Sequence, residues 1–73
     1  MKSNEVLLSR VIIKENNTQE YDFRFVFYGK KLMNIFINDT EYSLDNFIKY
    51  YKNTFCKTHQ DAINVVFEAV NKI

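Results

Sequence analysis

The chain has one cysteine, one glycine, one histidine and neither proline nor tryptophan in 73 residues. Each shortage removes a class of design. A lone Cys56 permits no internal disulfide, so the thiol framework that staples many small secreted domains is excluded. With Gly29 as its single glycine the chain holds no phosphate-cradling loop, and no H-E-x-x-H, G-x-S-x-G or EF-hand spacing occurs. Neither sign of charge dominates, with ten Lys and Arg against nine Asp and Glu. That balance argues against both a strongly acidic nucleic-acid mimic and a strongly basic wrapper. No apolar run approaches the roughly 18 residues of a membrane span. Met1-Lys2-Ser3-Asn4-Glu5, followed by only three apolar residues before Ser9 and Arg10, does not read as a signal peptide. The expected address is cytoplasmic and reducing, without a membrane partner. Asn16-Asn17-Thr18 and Asn38-Asp39-Thr40 are accordingly read as turns and not as glycosylation sites.

What the chain has in quantity is apolar and aromatic surface: 47% hydrophobic residues, including seven Phe and five Tyr. Its length gives room for a single domain, 1–73, whose core supplies only a few kcal/mol of net stability. Dense aromatic packing or self-association must provide the rest, since each aromatic buries on the order of 150–250 Å². A homodimer is therefore open from the outset. Asn, Lys and Ile fill 24 positions, and Lys outnumbers Arg eight to two. AT-rich coding produces that bias and suits a low-GC bacterium or its phages and plasmids. Lysine patches are discounted accordingly.

The first half carries the two-residue period of strands. From Tyr21 to Tyr28, Tyr21, Phe23, Phe25 and Phe27 share one face while Asp22, Arg24, Val26 and Tyr28 share the other. Leu32 to Ile37 alternates in the same way, so the two segments predict a hairpin. Pairing Phe23, Phe25 and Phe27 with Ile37, Ile35 and Met33 leaves Gly29, Lys30 and Lys31 as a three-residue loop, with Gly29 supplying positive φ. Val6 to Lys14 is ambiguous: Val11-Ile12-Ile13 favours a strand, but Leu7, Leu8, Val11 and Ile12 also make a helical stripe. A strand is preferred for its later part, joined through an Asn16-Asn17-Thr18-Gln19 turn into a three-stranded antiparallel meander.

Beyond Asn38-Asp39 the period becomes helical, with Leu44, Phe47, Ile48, Tyr51 and Phe55 forming one stripe. Ser43 is positioned to cap this helix, Asp45 places negative charge in its first turn, and Tyr42 stands where it can staple onto Phe47. Thr58 to Ile73 opens with a capping-box spacing, Thr58 and Asp61, and carries Ile63, Val66, Val70 and Ile73 on one side. Helix is favoured there over a further strand. The expected fold class is α+β: a three-stranded meander followed by one or two C-terminal helices on one sheet face. Its predicted core is Phe23, Phe25, Phe27, Ile35, Ile37, Leu44, Phe47, Ile48, Tyr51, Phe55, Ile63, Val66 and Val70.

Catalytic and metal chemistry find little support. Cys56 and His59 have ligand-like spacing, but zinc takes three or four protein ligands and no second Cys or His exists. The simpler reading is a small thiol between helices and a solvated histidine. Glu20/Asp22 and Asp39/Glu41 lie at strand ends and turns, where solvent screens the pKa separation that acid/base work needs. No enzyme activity, cofactor or metal is expected.

Two surfaces remain as candidate partner sites. One is the second sheet face, where Arg24 and Val26 lead to Tyr28, beside Leu32, Asn34 and Phe36. Aromatics interleaved with Arg serve either as protein anchors or as a stacking platform for single-stranded nucleic acid. The other is the outward side of the first helix, with Lys49, Tyr50 and Lys52. The leading expectation is a non-enzymatic protein-binding protein acting by steric occlusion. In size, composition and lack of chemistry it is similar in type to the accessory proteins of phages and mobile elements, which include inhibitors of host defence enzymes. The alternatives are a nucleic-acid-binding regulator and a structural subunit that buries Leu7, Val26, Leu32 and Phe36 only on assembly.

Overall fold

The computed structural model describes residues 3–73, and among these the chain forms four strands and two helices. They follow in the order β1 (Ser3–Lys14), β2 (Asn17–Tyr28), β3 (Lys31–Ile37), β4 (Thr40–Tyr42), α1 (Leu44–Phe55) and α2 (His59–Val70). The strands make one antiparallel meander ordered β1-β2-β3-β4. The fold is α+β, as the change of period midway predicts, with β4 as a short addition.

All of Ser3–Lys14 is strand, which resolves the ambiguity of this segment: Val6 and Leu8 stand opposite Phe25 and Phe23 and are buried with them. Lys14 pairs with Asn17, so the first turn is Glu15-Asn16, and Asn17, Thr18 and Gln19 lie in β2 and not in the expected turn. Extending the ladder satisfies backbone groups that a longer turn would leave to solvent. In the second hairpin Phe23 meets Ile37 and Phe25 meets Ile35 as predicted. The register then shifts after Val26, so that Phe27 opposes Leu32 and not Met33, and the loop shrinks to Gly29-Lys30. Gly29 sits at φ 63, at the first loop position where glycine is favoured. The bulge turns Leu32 inward against the core and leaves Met33 exposed. The third turn uses Asn38 and Asp39, both at positive φ (48 and 70), residue types that tolerate the left-handed region. It returns the chain into β4, the strand hidden in sequence by its three-residue length.

Both helices start as their capping residues predict. Ser43 Oγ accepts from the Asn46 amide at 3.2 Å, and Asp45 lies in the first turn of α1. Thr58 Oγ1 accepts from the Asp61 amide at 3.1 Å while the Asp61 carboxylate accepts from the Thr58 amide at 3.0 Å, a complete capping box on α2. The helices lay one apolar side on the sheet. Phe23, Phe25, Phe27 and Phe47 are fully buried, with Phe47 edge-on to Phe23 and Phe25 at 5.6 Å each. Tyr51 stacks on Phe55 at 4.8 Å.

The predicted core needs correction at its margins. Leu44 is exposed because the helix begins before it reaches over the sheet, and Phe55, Ile63, Val66 and Val70 are half-buried flanks. The buried side of α2 is Ala62, Val65 and Ala69. Alanines let the helix approach closely, and the β-branched stripe is displaced to its flank.

Phe25→Ala is expected to cost roughly 3–5 kcal/mol in urea unfolding, comparable to the whole stability of a chain this short. A loss below about 1 kcal/mol would mean that the sheet buries its other face. The Asp61 carboxyl is held below its ordinary value by the Thr58 amide, then by the Thr58 side chain, with Lys57 adding. Its contribution is present above the unfolded carboxylate value and lost as pH falls through the lower folded value. The protection factors of the amides at the start of α2, taken relative to intrinsic exchange at each pH, should therefore fall on acidification, and Asp61→Asn should remove that dependence.

Candidate interaction surface

Helices of 12 residues reach about 18 Å, whereas strands of 12 residues reach about 40 Å. The helix layer therefore covers one face of the sheet and only part of its length. Residues directly opposite in the ladder share a face, so the uncovered face carries Glu5, Leu7, Ser9, Val11 and Ile13 of β1. From the other strands come Thr18, Glu20, Asp22, Arg24, Val26 and Tyr28, then Asn34 and Phe36, then Glu41. Leu7 and Ile13 are more than 70% exposed, Val11 and Tyr28 about half. The molecule is 45 Å long and about 20 Å across, in keeping with a β1–β2 hairpin that outruns the helices.

Polar side chains on this face bind one another. Arg24 Nη1 donates to Glu5 Oε1 at 2.7 Å, and its guanidinium carbon lies 4.2 Å from the Phe36 ring centroid. Asn34 Nδ2 donates to Glu41 Oε2 at 2.9 Å, and Ser9 Oγ to Asp22 Oδ1 at 3.1 Å. The Asp22 amide donates to Asn38 Oδ1 at 2.9 Å while the Asn38 amide donates to the Asp22 carbonyl at 2.9 Å, tying the third turn to β2. Leu7, Leu8, Ser9, Asp22, Arg24, Asn38 and Asp39 line a shallow depression of about 320 Å³. Among the described strand positions the face has four carboxylates (Glu5, Glu20, Asp22, Glu41) against Arg24 and Lys31.

Of the sheet-face residues predicted from sequence, Arg24 and Phe36 are brought into contact, and Tyr28 stands further along the same face. Leu32 is withdrawn from it by the bulge. From sequence, Leu7 figures only as a residue buried on assembly, and Val11 and Ile13 are missed; strict alternation through β1 was their signal, obscured by the competing helical stripe.

The second predicted surface does not survive as drawn. Lys49 and Lys52 are exposed on α1 beside Asp45 and His59. Tyr50, however, is half-buried, edge-on to Tyr21 at 6.3 Å and to Tyr42 at 5.2 Å. Tyr21 and Tyr42 widen the aromatic floor so that it reaches the flank of α1, leaving the lysines without their aromatic. Burial raises the Tyr50 phenol above its ordinary value of 10.0, with Tyr21 and Tyr42 adding and a hydrogen bond with Thr54 opposing. Cys56 is exposed in the left-handed cap of α1 (φ 54) and not enclosed between helices. No group of three or more His, Cys, Asp or Glu converges among the described residues. No described helix is long and apolar enough to cross a membrane.

Comparison with family models, with curated proteins and with solved structures finds no significant match for this chain.

The raised Tyr50 value means that its share of stability is complete below the unfolded phenol value and lost as pH rises through the folded one. Tyr50→Phe should therefore flatten the alkaline limb of the stability-versus-pH profile, measured by urea unfolding. An unchanged limb would place Tyr50 in solvent.

Proposed function

We propose that the chain is a non-enzymatic protein-binding module that acts by steric occlusion, using the uncovered sheet face as its recognition surface. The observation that carries this reading is the composition of that face. It presents Leu7, Val11, Ile13 and Tyr28 beside an excess of carboxylates, and apolar anchors with a polar surround are what protein interfaces use. The partner that fits is a protein surface with separate apolar contacts for Tyr28, Leu7 and Val11/Ile13 along its length and basic groups between them for the carboxylates. A phage or mobile-element inhibitor of a host enzyme is the biological setting that the AT-rich composition and small size support best.

The nucleic-acid reading loses its main elements on this face. Arg24 is paired with Glu5 and lies over Phe36, so the cation and the ring engage each other. The surrounding carboxylates repel phosphate. The Lys49/Lys52 strip retains charge without a free ring to stack a base.

Affinity capture with the intact chain, at low and high salt, separates the two. Retention of a protein partner that changes far less with salt than phosphate binding does, and is abolished by Leu7→Glu with Tyr28→Ala, is expected, while circular dichroism stays unchanged. Binding to a labelled oligonucleotide that falls steeply with salt would instead establish the nucleic-acid reading.

A further inference from the structure

The outer edge of β1 points to a specific second occupant, independent of what the sheet face binds. Both backbone groups of Asp22 are directed at Asn38, on the β3 side of β2. In an antiparallel strand the N–H and C=O of one residue point the same way, so Asp22 and Ser9 form a non-hydrogen-bonded pair. The N–H and C=O of Ser9 must then point away from β2, to the free edge. By the two-residue period the same holds for Glu5, Leu7, Val11 and Ile13. The Ser9 carbonyl accepts from Arg10 Nη1 at 3.0 Å, so it faces groups outside the ladder, and a strand docking there shares or displaces that contact.

Sheet edges are ordinarily blunted by shortness, proline, bulges or lysine. The β4 edge is three residues long, whereas β1 runs for 12 residues in unbroken register with β2, contains no proline, and has Glu5 as the one charge among its outward-bonding positions 5–13. A row of outward backbone donors and acceptors of this length, of which the Ser9 carbonyl also takes the Arg10 guanidinium, accepts an extended strand.

The pattern of side chains selects which strand. We propose that the occupant is β1 of a second copy, paired antiparallel about a two-fold axis at Ser9, which joins two meanders into one eight-stranded sheet. In this register Leu7 stands opposite the second copy's Val11 on the uncovered face, and Val6 opposite its Ile12 on the helix side. Leu8 meets Arg10, Asn4 meets Lys14, and no two like charges oppose. An axis at Leu8 would set Val6 against Arg10 and Leu7 against Ser9, and an axis at Arg10 would oppose two guanidinium groups. Only positions 4–14 enter the pairing, so the uncovered faces of both copies remain on one side as a continuous platform.

The test is light scattering of the intact chain across a concentration series, combined with amide exchange. A species of twice 8.8 kDa is expected, with the Leu7, Ser9 and Val11 amides protected in it and fast in the diluted monomer. Ser9→Pro removes an outward N–H, and Val11→Lys sets a charge against the second copy's Leu7. Each should weaken dimerisation at least tenfold while the dilute monomer keeps its helical circular dichroism and melting point. If Ser9→Pro fails to fold, Val11→Lys decides. A chain that stays monomeric at all concentrations, or a dimer whose Leu7, Ser9 and Val11 amides exchange at the monomer rate, would overturn the proposal, as would a dimer unaffected by Val11→Lys.

Discussion

The contact of Phe47 with Phe23 and Phe25 sets the rest of the molecule in place. It seats α1 on one face of the meander with all three rings fully buried, and α2 then closes over β1 through Ala62, Val65 and Ala69 and the Arg10–Glu68 ion pair at 2.9 Å. That ion pair is exposed and adds little by itself; the rings supply the stability. Among the described residues both short helices lie on that one face, and no element lies on the opposite one. Exposure of Leu7, Val11, Ile13 and Tyr28 thus follows from the allotment of helix to strand, and the proposed recognition role rests on that exposure.

Three features make the uncovered face suitable for recognition. The Glu5–Arg24–Phe36 chain and the Ser9–Asp22 and Asn34–Glu41 bonds hold its polar groups in fixed positions, which lowers the ordering cost of binding. Its excess of carboxylates gives it a sign. The sheet beneath it is anchored by a core that binding need not disturb, so residues of the face can change without loss of the fold.

Much of this was legible in the sequence because its causes are local. Phe23, Phe25 and Phe27 announce a half-buried strand, Ser43 and Thr58 announce helix starts, and Gly29 announces a turn. What was not legible depended on long-range packing. The bulge after Val26, which exchanges the places of Leu32 and Met33, has no sequence marker on either strand. The inward rotation of Tyr50 requires Tyr21 and Tyr42 to be next to it, which only the folded sheet arranges. In α2 the alanines carry the closest packing, and a reading that ranks residues by hydrophobicity passes over them in favour of Ile63, Val66 and Val70. The candidate face was half visible, since Arg24, Tyr28 and Phe36 were identified and Leu7 was named as buried on assembly, but the rest of the β1 contribution was masked by a competing helical spacing in that segment.

The central claim is that helices cover one sheet face over part of its length and leave the other free, and adjacent positions on β1 test it most directly. In a Cys56→Ser background, Leu7→Cys and Val6→Cys each place one thiol on opposite faces of the same strand, at positions 71% and 7% exposed. Thiol labelling of the dilute protein should proceed at Leu7→Cys near the rate of an unfolded peptide, and at Val6→Cys only through global unfolding, with denaturant closing the gap. Equal rates at the two positions, or protection at Leu7→Cys in the monomer, would contradict the account.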